Sequence, residues 1–275
     1  MKKIIVPTDF SAYADTAADF AIKIAKEMEA EVHFLHIFSA PVNWKELRPE
    51  QEDLYPEIKK NFHNANSSLD HLTKKANEVG VKAERTMLFN EGRNAIDQHI
   101  NEGIYELVVI GSHGTSGIAD VMGSNAQMVI RNSQAPVLVV KNGNKFEDIG
   151  KMVYASDFET ESFKAFPVVY DLWQLLGTNQ LELLYVNTPG NFLETAEIED
   201  LVGEFKKEFP SVEMNVKHYD SLDVERGIVQ YAEHNKSSLI ALVTHGRRGV
   251  NRWFTPSVAE NVVNHATVPV LSIKV

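Results

Sequence analysis

Apolar residues fall along the chain in two rhythms. Short runs rich in β-branched residues at 3–7, 31–37, 82–88, 106–111 and 136–140 predict strands. Between them, 12–29, 57–79, 92–102 and 124–133 carry apolar positions at helical spacing. In the first of these, Ala14, Ala17, Ala18, Ala21, Ile22, Ala25 and Met28 form one stripe, which predicts a helix packed closely on a sheet. Ser11 stands just before it, where a hydroxyl can accept an orphan amide hydrogen. Strand alternating with helix is the pattern of βαβ units, so the fold class is α/β with a parallel sheet.

The same pattern then runs a second time. "VPTDFS" (6–11) returns as "YASDFE" (154–159), "VHFLHI" (32–37) as "LELLYV" (181–186), "ELVVIGSHG" (106–114) as "SLIALVTHG" (238–246), and "QAPVLVVK" (134–141) as "TVPVLSIK" (267–274). The offset is 148 at Asp9/Asp157 but 132 at Gly114/Gly246, so the first copy carries about sixteen extra residues, placed within 39–60. That segment mixes Trp44, Leu47, Leu54 and Tyr55 with acids and prolines; a packed surface loop is the favoured reading, a lid or partner surface the other. The polar stretch "NGNKFEDIG" (142–150) reads as a linker, giving domains at 1–143 and 150–275.

Composition narrows the partners. Of the 275 residues 44% are hydrophobic and 24% charged, which is ordinary for a soluble chain, and the net charge of −11 argues against nucleic acid. No window offers a membrane-length apolar run and the start "MKKIIVPTDF" lacks a signal-peptide core, so a cytoplasmic location without membrane is expected. The chain has no cysteine, which excludes disulfides, thiol catalysis and thiolate metal sites. His33 and His36, three apart on a strand, face opposite sides, and no side-chain metal site is expected.

Chemistry concentrates after the strand at 106–111, where Gly111, Gly114, Gly117 and Gly123 precede Ser124 and a helix. Glycines let the backbone approach an anion, and a helix start offers amides to a phosphate; the same residues also serve as plain turn and capping positions. Asp9 likewise reads either as a ligand-facing carboxylate or as a helix-start residue. His113, between two of the glycines, can touch a phosphate or brace the loop. Neither the P-loop nor the dinucleotide glycine signature is present.

Taken together, "PTDFS", "HI" at the end of the second strand, G-S-H-G, G-S before a helix and "APVLVV" resemble a universal stress protein domain, and the chain resembles a tandem pair of them. The resemblance implies two Rossmann-like domains, each a five-stranded parallel sheet with helices on both faces. It also implies that the last strands pair antiparallel into an intrachain pseudo-twofold dimer, with a homodimer as a further option. The family's ATP-binding branch carries G-x-x-G, nine residues, then G-[ST]. Carried over, Asp9 lies beside adenine and ribose, the Ile37 backbone meets the adenine edge, and Gly111, Gly114, Gly123, Ser124 and Asn125 wrap the phosphates. This chain has eight residues, "TSGIADVM", where that branch has nine.

In the second copy Val243 and Pro256 replace two of the glycines, while Asp157, Val186, Gly246 and Ser257 keep their positions. A branched Cβ and a residue without an amide hydrogen both work against phosphate binding, so that site reads as lost. Arg247, Arg248 and Arg252 nearby stay open as anion contacts or solvated side chains. The resulting expectation is a stress-response module that binds ATP, with Mg2+, or another adenine nucleotide in its N-terminal domain. An unidentified protein partner is expected beside the nucleotide. No catalytic residue is assigned, since the first glycine segment holds no lysine and no clear base. The alternatives are a nucleotide-free scaffold of the same fold and a slow ATP hydrolase.

Overall fold

The computed structural model describes residues 2–89, 95–112, 124–160, 162–177, 180–213, 215–244 and 256–275. The first half runs β1 (Lys3–Pro7), α1 (Ala12–Met28), β2 (Glu31–Phe38), α2 (Pro49–Glu52), α3 (Pro56–Glu78), β3 (Ala83–Phe89), α4 (Ala95–Glu102), β4 (Leu107–Ser112), α5 (Ser124–Asn132) and β5 (Val137–Lys141). The second runs β6 (Lys151–Ala155), α6 (Phe166–Leu175), β7 (Gln180–Asn187), α7 (Thr195–Glu208), β8 (Asn215–Asp220), α8 (Val224–His234), β9 (Leu239–Thr244), α9 (Pro256–His265) and β10 (Val270–Lys274). The first-half strands lie where the apolar runs put them, within one residue at either end.

The described strands make one ten-stranded sheet in the order β3-β2-β1-β4-β5-β10-β9-β6-β7-β8. Neighbours within each half are parallel, while β5 and β10 meet antiparallel with Leu138 opposite Leu271. The order reads the same from both ends, so an approximate twofold axis passes through the seam. Joining the two halves there hides an edge from each. Ile4, Ile5 and Val6 of β1 and Val108 and Val109 of β4 are wholly buried, as unbroken apolar strands covered on both faces should be.

Polar contacts tie the halves across the seam in matched pairs. The Lys141 ammonium, at the end of β5, donates to the carbonyls of Ala266 and of Asn264 (3.2 Å) at the end of α9, while Lys274, its counterpart on β10, donates to the Arg131 carbonyl of α5 at 3.4 Å. Both lysines meet the negative ends of helices belonging to the other half. Burial pulls the Lys141 ammonium down to about 8. Between α5 and α9, buried Glu260 accepts from Arg131 and from Gln127 at 2.7 Å.

The extra segment of the first half is packed rather than loose. Trp44 is buried against Phe62, with ring centroids 5.7 Å apart, and Phe38 and Phe89 complete an aromatic cluster over α3 and β3. Leu54 of the same segment is exposed. Among the described residues no helix is long and apolar enough to cross a membrane.

Candidate functional site

Strand β1 pairs with β2 on one side and β4 on the other, so the chain's direction of travel across the sheet reverses between β1 and β4. In open α/β sheets the crevice beyond the strand ends at such a point is the place for a ligand. A cavity of about 290 Å³ lies there. Its walls are Thr8 and Asp9 after β1, His36 and Ile37 of β2, Gly111 of β4, Tyr13 and Ala14 of α1, Ile96 of α4, and Asn125 and Ala126 of α5.

Local chemistry builds the β1 turn. Phe10 takes a left-handed backbone (φ 61°), an unusual state for a large side chain. Short-range hydrogen bonds hold it: Phe10 N–H donates to the Thr8 hydroxyl at 3.0 Å and Ser11 N–H to the Asp9 carboxylate at 3.0 Å. Ser11 then caps α1, accepting from Ala14 N–H at 3.3 Å, as its position predicts. Asp9 is therefore a turn residue, and it is also exposed on the cavity wall.

On β2, the His36 Nδ1–H donates to the Thr8 carbonyl at 2.8 Å, and the ring lies 4.4 Å from that of Phe10. Burial holds this imidazole below its usual range, against the Thr8 carbonyl and Asp9, which favour the proton. With Nδ1 engaged as donor, neutral His36 keeps Nε2 as an acceptor. His33 serves another environment, bonded to the Tyr105 hydroxyl at 2.7 Å and the Thr86 hydroxyl at 2.8 Å. Burial and the neighbouring His99 pull it down to about 4. The two imidazoles thus share no metal-like arrangement, and among the described residues no group of three His, Asp or Glu side chains could hold a metal ion.

Of the residues singled out in the sequence, Asp9, Ile37, Gly111 and Asn125 come together around this cavity. Ser124 is the first residue of α5, immediately before Asn125. His113, Gly114, Gly117 and Gly123 lie outside the described residues, as do His245, Gly246, Arg247, Arg248 and Arg252. Gly111 has a structural duty of its own: a Cβ there would meet the Tyr13 carbonyl oxygen at 2.3 Å and the Ala14 nitrogen at 2.8 Å. Its bareness lets the first turn of α1 cross β4. Tyr13, Ile96 and Ala126 were missed, and Ala14 was read only as a packing residue of α1; for the two alanines, small size beside a helix start was the available signal.

The matching turn in the second half is more deeply buried. Phe158 repeats the left-handed backbone (φ 56°), with its N–H on the Ser156 hydroxyl at 3.0 Å and Glu159 N–H on the Asp157 carboxylate at 3.1 Å. Here, though, Asp157 is buried and also accepts from the Ser162 hydroxyl at 2.5 Å. Phe158 is buried against Phe205, at 5.3 Å between centroids, in a cluster that includes Phe163, Phe166 and Phe209. Helix α6 starts at Phe166, nine residues after Asp157, whereas α1 starts three after Asp9. Pro167 fits only that first turn. With the helix start moved back, Val243 takes the Gly111 position wholly buried. Helix α9 begins at Pro256, a residue suited to a helix start.

Comparison with known proteins agrees with this architecture. The model of the universal stress protein family matches residues 1–141 and again 150–274. Universal stress protein MJ0531 of Methanocaldococcus jannaschii is 34% identical over 145 residues, covering 52% of this chain and 84% of its own. Universal stress protein YxiE of Bacillus subtilis is 34% identical over 148 residues, covering 50% of this chain and 98% of its own. A crystal structure of a universal stress protein from Archaeoglobus fulgidus superposes with a TM-score of 0.76 over 99% of this chain and 98% of that one, at 20% identity, a likeness of fold.

Proposed function

The chain belongs to the universal stress protein family, as a tandem of two such units, and from that premise we propose that its N-terminal half binds an adenine nucleotide, ATP in the first instance, while its C-terminal half is a structural partner. We divide the chain for this purpose at 143 and 150, the bounds read from the linker. The observation that carries the reading is the cavity at the β1/β4 switch point, bordered by Asp9, Ile37, Gly111 and Asn125 together. The first turns of α1 and α5 both border it, and helix starts present amide hydrogens and positive dipole ends to an anion. Ile37 and Ile110 supply apolar wall for a base. A magnesium ion, where needed, arrives on the phosphates, with Asp9 the carboxylate on the wall. The sites assigned to Gly114, Gly123, Ser124 and His113 belong to the same proposal.

A second reading, a nucleotide-free scaffold, draws support from Gly111, whose contact with the α1 backbone accounts for a glycine without any ligand. Native mass spectrometry of the purified protein, followed by calorimetric titration with ATP and magnesium, separates the two. Binding that is lost in Gly123→Val and kept in Ser257→Ala supports the first reading. Absence of both co-purified and added nucleotide overturns it, and loss in Ser257→Ala would transfer the site to the second half.

A further inference from the structure

We propose that the trough between α1 and α6, remote from the nucleotide cavity, is a second binding site, for a small organic cation with an apolar body. A cavity of about 570 Å³ opens there, within the size range of small-molecule pockets and at the junction of two halves where such pockets favour lying. Its apolar lining comes from Met28 of α1, Leu107 of β4, Leu271 of β10, and Val168 and Leu172 of α6, which share one helical stripe.

The rim selects the charge. Glu27, Glu29, Glu106 and Asp171 line it, against Lys2 as the one cationic side chain among the described lining residues. Carboxylates beside apolar walls attract an ammonium more strongly than they would in open water and accept charge-assisted hydrogen bonds from it. The trough also continues an interface the chain has already made. Phe20, Lys23 and Glu27 lie on one stripe of α1, and the linker's Phe146 covers the first part of it, edge-on to Phe20 at 5.8 Å with Lys23 over its ring and paired to Glu147. Along that same stripe the helix charge changes from Lys23 to Glu27 as the linker's cover ends and the cavity begins. An apolar group therefore suits both parts, with an acidic companion over the first and a basic one over the second.

The test titrates the full chain calorimetrically with decylammonium below its micellar range, beside decanoate and decanol as anionic and neutral matches. Decylammonium should bind at least about tenfold more tightly than either, a difference of about 1.4 kcal/mol. The surface variant Glu106→Lys/Asp171→Lys should abolish that preference. Glu57→Lys/Glu213→Lys, which makes the same change of net charge on exposed residues elsewhere, should keep it. Val168→Trp should block all three probes; if thermal unfolding shows that it does not fold, the charge variants decide. Equal affinity for the three probes, or equal loss in the two charge variants, overturns the proposal. The nucleotide reading stands apart, because Gly123→Val should bind decylammonium like the parent chain.

Discussion

The turns after β1 and β6 have one backbone and two environments. Phe10 and Phe158 share a left-handed conformation and matched hydrogen bonds to Thr8/Asp9 and Ser156/Asp157. One aspartate is exposed on a cavity wall, and the other is buried and accepts from the Ser162 hydroxyl. The aspartate is thus explained by the turn in both halves, and its recurrence carries no information about a ligand. What separates the halves is where the next helix begins and whether the phenylalanine ring turns into the core.

The largest test of that contrast deletes the two rings. Phe158→Ala removes a wholly buried side chain and should cost about 4 kcal/mol in denaturant unfolding, while Phe10→Ala, half-buried, should cost about 1–2 kcal/mol. Equal costs would mean that the second turn is no more packed than the first. Exchanging the strand-end residues comes next. Gly111→Val drives a Cβ into the α1 backbone and should destabilise by about 3 kcal/mol as well as weakening nucleotide binding, whereas Val243→Ala should cost about 2 kcal/mol through a cavity and leave binding alone.

A comparable effect belongs to pH. His33 is held neutral in the fold with its proton affinity down to about 4, against about 6.5 in the unfolded chain. Below pH 6.5 the unfolded chain takes up a proton that the folded one refuses, so stability is complete above that pH and falls by up to about 3 kcal/mol as pH drops towards 4. Its counterpart in the second copy is Glu182, bonded to Tyr231 and Lys151. His33→Gln should therefore flatten the acid limb of a stability–pH curve, and an unchanged limb would assign it to other groups. The smallest effect is expected from the aspartates themselves. Asp157→Asn should cost about 1–2 kcal/mol through its buried hydrogen bonds, and Asp9→Asn under about 0.5 kcal/mol, with its main effect on nucleotide affinity by calorimetry.

Much of the architecture was legible because local signals agreed. The alanine stripe and Ser11 cap marked α1, the unbroken apolar runs marked strands buried on both faces, and the repeated "PVL" ends marked the strands that meet at the seam. The cavity was legible in part: Asp9, Ile37, Gly111 and Asn125 were named for it from the sequence, His36 was weighed only as a metal ligand, and Tyr13, Ile96 and Ala126 were not named. Their roles depend on neighbours that are distant along the chain, and no local spacing encodes that.

Local chemistry by itself determined the order of strands and helices, the doubling of the unit, and the turn that seats Asp9 and Asp157, because each follows from contacts a few residues long. Tertiary structure alone decided how exposed each turn is. It set Gly111 under the α1 backbone, began α6 nine residues after Asp157, and let Phe158 close into the core. The reason is physical: a cavity survives only where close packing fails to fill it, and packing is settled by every element that converges on a place.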